Sequence, residues 1–199
     1  MQITIDKKTG VLLAIIALLG ATVVSFAING KSDHMGGMGA HESHNSSNSN
    51  YTGADIMFLQ MMIPHHQQAI DISNLAMKTS KDAELLALAK IIARDQAAEI
   101  TKMKAWLAYS GAGMDAGHSI DGMGGMLSGA ELSALNVETG TKFDILWLKG
   151  MTGHHDGAIH MTTMIRDASN PEIKAFGEKV IADQAAQIEQ MREMIKRLS

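Results

Sequence analysis

Two pairs of adjacent histidines are the residues of this chain best suited to chemistry. His65, His66 and His155 each follow a methionine by four residues. Those methionines are Met61, Met62 and Met151. Residues four apart share one face of an α-helix, so each imidazole would lie beside a thioether if these segments are helical. Imidazole combined with soft thioether sulfur favours copper, above all Cu(I), over Mg, Ca or Mn.

These residues predict a metal site to which both histidine pairs contribute. A single methionine or histidine at helical spacing is usually core filling. Two adjacent histidines, repeated in a second place with a methionine nearby, are harder to explain in that way, because burying unpaired imidazoles is costly. The candidate ligands are four imidazoles and four thioethers, namely His65, His66, His154, His155, Met61, Met62, Met151 and Met161.

An internal repeat contains the histidine pairs. Leu59–Ile70 aligns with Leu148–Ile159 at an offset of 89 residues, and Asp95–Ile100 aligns with Asp183–Ile188 at an offset of 88. Each half of the chain therefore has a His-His segment followed by an Asp-Gln-Ala-Ala segment. A repeat of this kind predicts two structurally related units.

The elements that must position the histidines read as helices. Apolar residues recur at steps of three, four or seven, which is the pattern of an amphipathic helix. The pattern predicts helices over residues 54–78, 81–109, 141–168 and 171–198, with a short helix near 129–136. Ser128 with Glu131, and Asn170 before Pro171, are typical helix starts. Short turns make each half an antiparallel helix pair, so we expect an all-α four-helix bundle made of two duplicated pairs.

Gln96 and Gln184 are strongly polar members of otherwise apolar helix stripes. Counting residues from the turns places each within one or two helical turns of the height of a histidine pair. We therefore predict that Gln96 and Gln184, with Asp95 and Asp183 nearby, orient the imidazoles. Imidazole must be neutral to bind a metal, so affinity should fall below roughly pH 6.5.

Composition excludes several classes of protein. The 199 residues include no cysteine, which excludes disulfides, thiolate zinc sites, iron–sulfur clusters and attached c-type haem. A net charge of −4 gives no electrostatic basis for binding nucleic acid. Two prolines and 4% aromatic residues argue against a β-sandwich or barrel.

The N-terminal part of the chain predicts export. Residues 11–28 are almost entirely apolar, and lysines precede them, so residues 1–28 are either a cleaved signal peptide or a retained membrane anchor. Residues 29–53 are rich in Gly, Ser, Asn, His and Met, which is typical of a disordered tether. The bundle is expected over 54–199. Its parts would be a first repeat at 54–110, a linker at 111–127 and a second repeat at 128–199.

The motifs Phe58–Ile70 and His154–Met161 resemble the domain-of-unknown-function 305 (DUF305) family. The resemblance covers about residues 52–198. It implies a ferritin-like four-helix bundle, exported or membrane-anchored, in a family with members linked to copper binding and copper tolerance. The second motif departs from the family pattern, because Gly150–Gly153 stands where a Met-Met-Ile-x run is usual. That departure implies a weaker second site or a locally opened helix.

Together these features favour an exported protein without enzymatic activity that sequesters or transfers copper, with Cu(I) preferred. An uncleaved N-terminal helix would add the membrane as a partner. Three alternatives stay open: a b-type haem bundle for electron transfer, a metal-dependent oxidase, and a structural or partner-binding bundle without metal. The sequence does not determine the oligomeric state.

Overall fold

The chain is all-helical where its structure is described. The computed structural model describes residues 50–114 and 123–199, and these two ranges contain five α-helices and no β-strand. The helices are α1 (Gly53–Thr79), α2 (Ala83–Ser110), α3 (Gly129–Val137), α4 (Gly140–Met161) and α5 (Pro171–Leu198). A 3₁₀ turn, Thr162–Ile165, follows α4.

Local signals in the sequence set the helix starts. Thr52 and Ser128 each open a helix through a reciprocal capping box with the acidic residue three positions later. Asn170 caps α5, whose first residue is Pro171. The starts predicted at Ser128 and Asn170 are therefore confirmed.

The fourth helix is shorter than predicted. It ends at Met161 instead of residue 168, and the 3₁₀ turn replaces its last part. The hydroxyl groups of Thr162 and Thr163 donate to backbone carbonyl oxygens three residues earlier, at 2.7 and 2.8 Å. Such local hydrogen bonds compete with the regular α-helical pattern, which explains the early end.

The four long helices surround a core that is divided into two parts. α1 packs mainly on α2, α4 mainly on α5, and α1 also packs on α4. The first core cluster contains Phe58, Leu59, Met62, Ile63, Ile100, Met103, Trp106, Leu107, Met123, Ala158, Met161, Ile165, Ile173, Phe176 and Val180. The second core cluster contains Ala69, Ile72, Ala76, Leu85, Leu88, Ala89, Ile92, Leu127, Leu135, Phe143, Trp147, Leu148, Met151, Ile188, Met191 and Met194.

A polar layer separates the two core clusters. Gln96 lies between Ile92 of the second cluster and Ile100 of the first, and Gln184 occupies the same position along α5. The histidine pairs lie at the same transition in α1 and α4. The polar layer is thus formed by His65, His66, Gln96, His154, His155 and Gln184, all of them buried.

The order of the clusters along each helix fixes the helix directions. α1 and α5 run from the first cluster to the second, whereas α2 and α4 run from the second to the first. The connection from α2 to α4 must therefore travel the length of the bundle. It includes the short helix α3, and its residues 123–128 pass across the polar layer beside α4.

Glycines allow this connection to lie directly on α4. A Cβ atom on Gly157 would fall 2.0 Å from the Gly124 carbonyl oxygen, and one on Gly125 would fall 2.5 Å from the Gly153 carbonyl oxygen. Gly125 also has a φ of 85°, which favours glycine. α4 continues without interruption through Gly150, Gly153 and Gly157. Gly150 also serves close packing, since its Cβ would lie 2.9 Å from the Leu127 side chain. The local opening implied at Gly150–Gly153 does not occur.

The predicted signal peptide or anchor at residues 1–28 and nearly all of the predicted tether at 29–53 lie outside the described residues. None of the described helices combines the length and the apolar character that crossing a membrane requires.

Candidate metal centre

The four histidines are fully enclosed and lie in one layer. Each of their side chains has 0% exposure. The rings of His65 and His154 are in contact, with centroids 3.8 Å apart and planes tilted by 39°. Within each pair the ring centroids are 6.5 Å apart in α1 and 6.2 Å apart in α4. The repeat therefore brings one histidine from each half into direct contact.

Two of the imidazoles donate to backbone oxygens. Nε2 of His154 lies 2.9 Å from the carbonyl oxygen of His65. Nε2 of His65 lies 3.3 Å from the carbonyl oxygen of Gly124, in the connection that crosses the layer. A carbonyl oxygen only accepts hydrogen bonds, so both rings carry their proton on Nε2.

The other two imidazoles donate to side chains of the partner helix in each half. Nε2 of His66 lies 2.9 Å from Oε2 of Glu99 on α2. Nε2 of His155 lies 2.6 Å from Oε1 of Gln187 on α5. These acceptors again place the ring proton on Nε2.

All four Nδ1 atoms are buried without a hydrogen-bond partner. Because Nε2 carries the proton, each Nδ1 has a free lone pair. A ring whose N–H is held by an oxygen while its other nitrogen is available has the arrangement of a metal-binding histidine. The layer therefore contains four oriented nitrogen donors inside the protein.

Burial keeps the imidazoles of His65, His154 and His155 neutral. Desolvation is the main cause that lowers the pKa of His65 to about 3 and that of His155 to about 4, and it holds the pKa of His154 well below its usual value. The neighbouring imidazoles lower these pKa values further. The fall in metal affinity that the sequence predicts near pH 6.5 is therefore moved to lower pH for these three residues. At pH 6.5 their imidazoles are not protonated, so protons do not compete with the metal.

The predicted thioether ligands lie on both sides of the polar layer. Met62 and Met161 are buried in the first core cluster, and the half-buried Met61 packs against it. Met151 is fully buried in the second core cluster. Within residues 50–114 and 123–199, no group of three or more His, Cys, Asp or Glu side chains is arranged to hold a metal ion. A metal bound here by more than two ligands would therefore have to include thioether or amide donors.

The hydrogen bonds to the imidazoles differ from those predicted. Gln96 lies in the layer, but neither polar atom of its side chain has a hydrogen-bond partner, and Oε1 of Gln184 has none. Asp95 and Asp183 form ion pairs with basic side chains instead. The residues that accept hydrogen bonds from His66 and His155 are Glu99 and Gln187. Each lies about one helical turn after Gln96 or Gln184, and its side chain points back to the polar layer.

The connection across the layer is held by a further residue that sequence analysis did not identify. The side chain of Gln68 accepts from the backbone N–H of Leu127 at 2.7 Å and donates to its carbonyl oxygen at 3.0 Å. This pair of hydrogen bonds fixes the segment that contains Gly124 beside α1. It thereby supports the carbonyl oxygen that orients His65.

Comparisons with known proteins agree with this architecture. A DUF305 protein from Streptomyces coelicolor that is expected to be secreted is 27% identical, with a TM-score of 0.69 over 73% of this chain and 93% of that one. A DUF305 fragment from Deinococcus radiodurans is 28% identical, with a TM-score of 0.69 over 73% of this chain and 97% of that one. CopM in its Cu(I)-bound form is 31% identical, with a TM-score of 0.62 over 74% of this chain and 97% of that one.

None of the curated proteins compared with the chain matches it. The family model of DUF305, a domain of unknown function, matches residues 55–195. This range covers all but the first two residues of α1 and the last three of α5, and it includes both histidine pairs and the connection between the halves. The resemblance seen in the two motifs is therefore confirmed, and the chain belongs to the DUF305 family.

Proposed function

We propose that the polar layer binds copper ions through Nδ1 of His65, His66, His154 and His155. The observation that carries this proposal is the set of four buried Nδ1 atoms without a partner, each on a ring whose Nε2–H is held by an oxygen. Buried polar atoms are normally satisfied. Leaving four of them unpaired in one layer is costly unless a ligand uses them.

The donor types favour Cu(I). Thioether sulfur and neutral imidazole are soft or intermediate ligands, which select Cu(I) over hard cations. Met61 and Met62 precede the first histidine pair by one turn, and Met151 precedes His155 in the same way. A monovalent ion that accepts few ligands suits a site in which nitrogen donors are supplemented by sulfur.

Metal binding by a structural relative supports the proposal. CopM has been crystallised in Cu(II)-bound, Cu(I)-bound and Ag-bound forms as well as without metal. This chain is 31% identical to CopM in the copper-bound forms and covers 97% of its length. Ag(I) resembles Cu(I) in its preference for soft ligands, so a relative that binds both is consistent with a soft site.

We further propose that the protein stores or passes on copper and is not an enzyme. The imidazoles have no exposed surface, so an ion held between them would be enclosed by the bundle. An oxidase needs a coordination position that a substrate can reach. Enclosure fits sequestration, or transfer after local opening, better than turnover.

The haem alternative is less compatible with the observed packing. A b-type haem held by a histidine and a methionine would need space for the porphyrin ring beside the imidazole. The rings of His65 and His154 are instead in contact with each other. A haem between them would require α1 and α4 to separate.

The ferritin-like fold and the extracytoplasmic location of the protein are also part of the proposed function. The single long connection between the two helix pairs supports a ferritin-like bundle. An extracytoplasmic location is supported by the apolar segment at residues 11–28 and by the relative from Streptomyces coelicolor that is expected to be secreted. Fractionation of cells that produce the full chain tests the location.

The decisive experiment is an anaerobic titration of the full-length protein with Ag(I) or Cu(I), followed by ¹⁵N NMR of the imidazoles. We expect the Nδ1 resonances of the buried histidines to shift on metal binding while their Nε2–H protons persist. A quadruple variant with alanine at all four buried histidines should lose the tight binding. The variant His160→Ala, at an exposed position of α4, is the matched control and should retain it.

The NMR readout keeps the test independent of folding. If the quadruple variant loses its far-UV circular dichroism, the wild-type Nδ1 shifts alone decide the result. Binding that leaves every buried Nδ1 resonance unchanged would show that the metal is held elsewhere, and the proposal would be wrong.

A further inference from the structure

The two halves of the polar layer differ at one equivalent position. The repeat that places Asp95 over Asp183 also places Glu99 over Gln187, both at an offset of 88 residues. These two residues perform the same task, since each accepts the Nε2–H of the second histidine of the facing pair. A carboxylate therefore orients His66, whereas a neutral amide orients His155.

The contact between Glu99 and His66 is well defined and shielded from solvent. Oε2 of Glu99 is 2.9 Å from Nε2 of His66, and the two side chains are 14% and 0% exposed. Shielding of this kind strengthens the electrostatic effect of the carboxylate on the ring compared with the same contact in water.

The charges around Glu99 reduce its effect only in part. Its other oxygen lies 3.6 Å from Nζ of Lys179, whose side chain is 49% exposed. The same ammonium group also pairs with Asp183, so its positive charge is shared between two carboxylates. The amide of Gln187 brings no charge to the other half of the layer.

We infer that Glu99 makes His66 the preferred donor for Cu(II), whereas Gln187 leaves His155 as a neutral donor suited to Cu(I). This inference rests on the proposed function, because it assigns a role to each half of the same site. A carboxylate that accepts the ring N–H increases electron density on the imidazole and raises its basicity as a ligand. It also places a negative charge near the metal, and the attraction is twice as large for a divalent ion as for a monovalent one.

Glu99 is thus a positioning residue that discriminates between oxidation states. It makes no bond to the metal, and it acts through His66. The two halves of the bundle have related backbones, yet one half would favour Cu(II) and the other Cu(I).

The test uses the full-length protein and the paired substitutions Glu99→Gln and Gln187→Glu. Cu(II) binding is measured by electron paramagnetic resonance, and Cu(I) binding by anaerobic competition with a chelator. We expect Glu99→Gln to weaken Cu(II) binding by about 10–100-fold, the usual range for loss of such a supporting partner, and to weaken Cu(I) binding by clearly less. Gln187→Glu should strengthen Cu(II) binding.

Glu193→Gln is the matched control, because it removes the same charge from a side chain that is 69% exposed and paired with Lys196. An effect of Glu99→Gln no larger than that of the control would overturn the inference. Equal loss of Cu(I) and Cu(II) affinity would also overturn it, since a purely structural role predicts that outcome.

The failure of the inference and that of the proposed function are distinguishable. If wild-type protein binds no copper through its buried histidines, both are wrong. If it binds copper and Glu99→Gln changes nothing, only the inference fails. Imidazole ¹⁵N NMR of the metal-free protein checks the premise, because the Nε2–H signal of His66 should move in Glu99→Gln and stay in place in Glu193→Gln.

Discussion

Mild acid should destabilise the metal-free protein because its buried imidazoles resist protonation. In the unfolded chain a histidine has a pKa near 6.5. In the folded protein the pKa of His65 is about 3 and that of His155 about 4, and the pKa of His154 is also well below the usual value. The unfolded state therefore binds more protons than the folded state below about pH 6.5. Stability is fully present above that pH and is lost progressively as the pH falls through 4 towards 3.

The size of the effect follows from the distance between the working pH and the unfolded pKa. At pH 5 His65 and His155, whose pKa values in the folded protein are about 3 and 4, each favour unfolding by about 2 kcal/mol, which is 1.36 kcal/mol for each of roughly 1.5 pH units. Together they give about 4 kcal/mol, and His154 adds to the effect in the same direction. This value approaches the lower end of the total stability of a typical domain, about 5–15 kcal/mol. At roughly 2–4 °C per kcal/mol for a chain of this size, Tm should fall by at least about 8–16 °C.

The assay is urea unfolding of the chelator-treated full chain, followed by circular dichroism at pH 7, 6 and 5. The variant His154→Asn should show a weaker dependence on pH than the wild type, because one titrating group is gone. Trp147→Phe is the control, since it lowers stability without removing a titrating group and should keep the full dependence. A free energy of unfolding that is the same at pH 7 and pH 5 would refute the reasoning, because the imidazoles would then not be neutral in the folded state.

Two further predictions concern the packing around the layer. Gly157→Ala should lower the free energy of unfolding by about 3 kcal/mol, because its Cβ would lie 2.0 Å from the Gly124 carbonyl oxygen. Gly129→Ala, whose Cβ would meet nothing within 4 Å, should change it by less than about 1 kcal/mol, and equal effects in the two variants would count against the close crossing. Trp147→Phe should cost about 1–3 kcal/mol, since it leaves the Ile72 carbonyl oxygen without the buried indole N–H at 3.0 Å. Thermal unfolding of each variant measures these changes, and a fully stable Trp147→Phe would mean that this hydrogen bond contributes nothing.

The polar layer weakens the core that it crosses. The four Nδ1 atoms, both polar atoms of Gln96 and Oε1 of Gln184 have no hydrogen-bond partner. Unsatisfied buried groups each cost about 1–3 kcal/mol. A bound metal would relieve part of this cost, so we expect the metal-bound protein to be the more stable form.

The helices were predictable because their signals are local. Apolar spacing places Leu88, Ile92 and Ile100 on one face of α2. The capping residues Ser128 and Asn170 directly precede α3 and α5, and the backbone groups that they cap lie within the next three residues. The end of α4 was not predictable from spacing alone. Two threonine hydroxyls turn back onto the backbone there, and the apolar pattern continues past that point.

Glu99 and Gln187, which accept hydrogen bonds from His66 and His155, could not be identified from the apolar stripes alone. The stripes show which face of a helix a residue lies on, but they do not show how far its side chain reaches along the helix. Gln96 interrupts an apolar stripe, and this predicts that it orients the imidazoles, but a long side chain reaches along the helix to a different height. Glu99 lies three residues later and contacts His66. The repeat contained the signal, since its aligned segment extends through Glu99 and Gln187.

By itself the sequence determined the helical class, the duplication, the family and the presence of two histidine pairs on apolar helix faces. These properties depend on residue types and on the short distances along the sequence between residues of the same kind. Both can be read directly from the sequence. The tertiary structure alone decided that His65 meets His154 across the bundle, that a glycine-lined connection covers them, and that different acceptors hold His66 and His155. Those contacts join residues 32–89 positions apart, and no local pattern fixes which atoms face each other once the helices have packed.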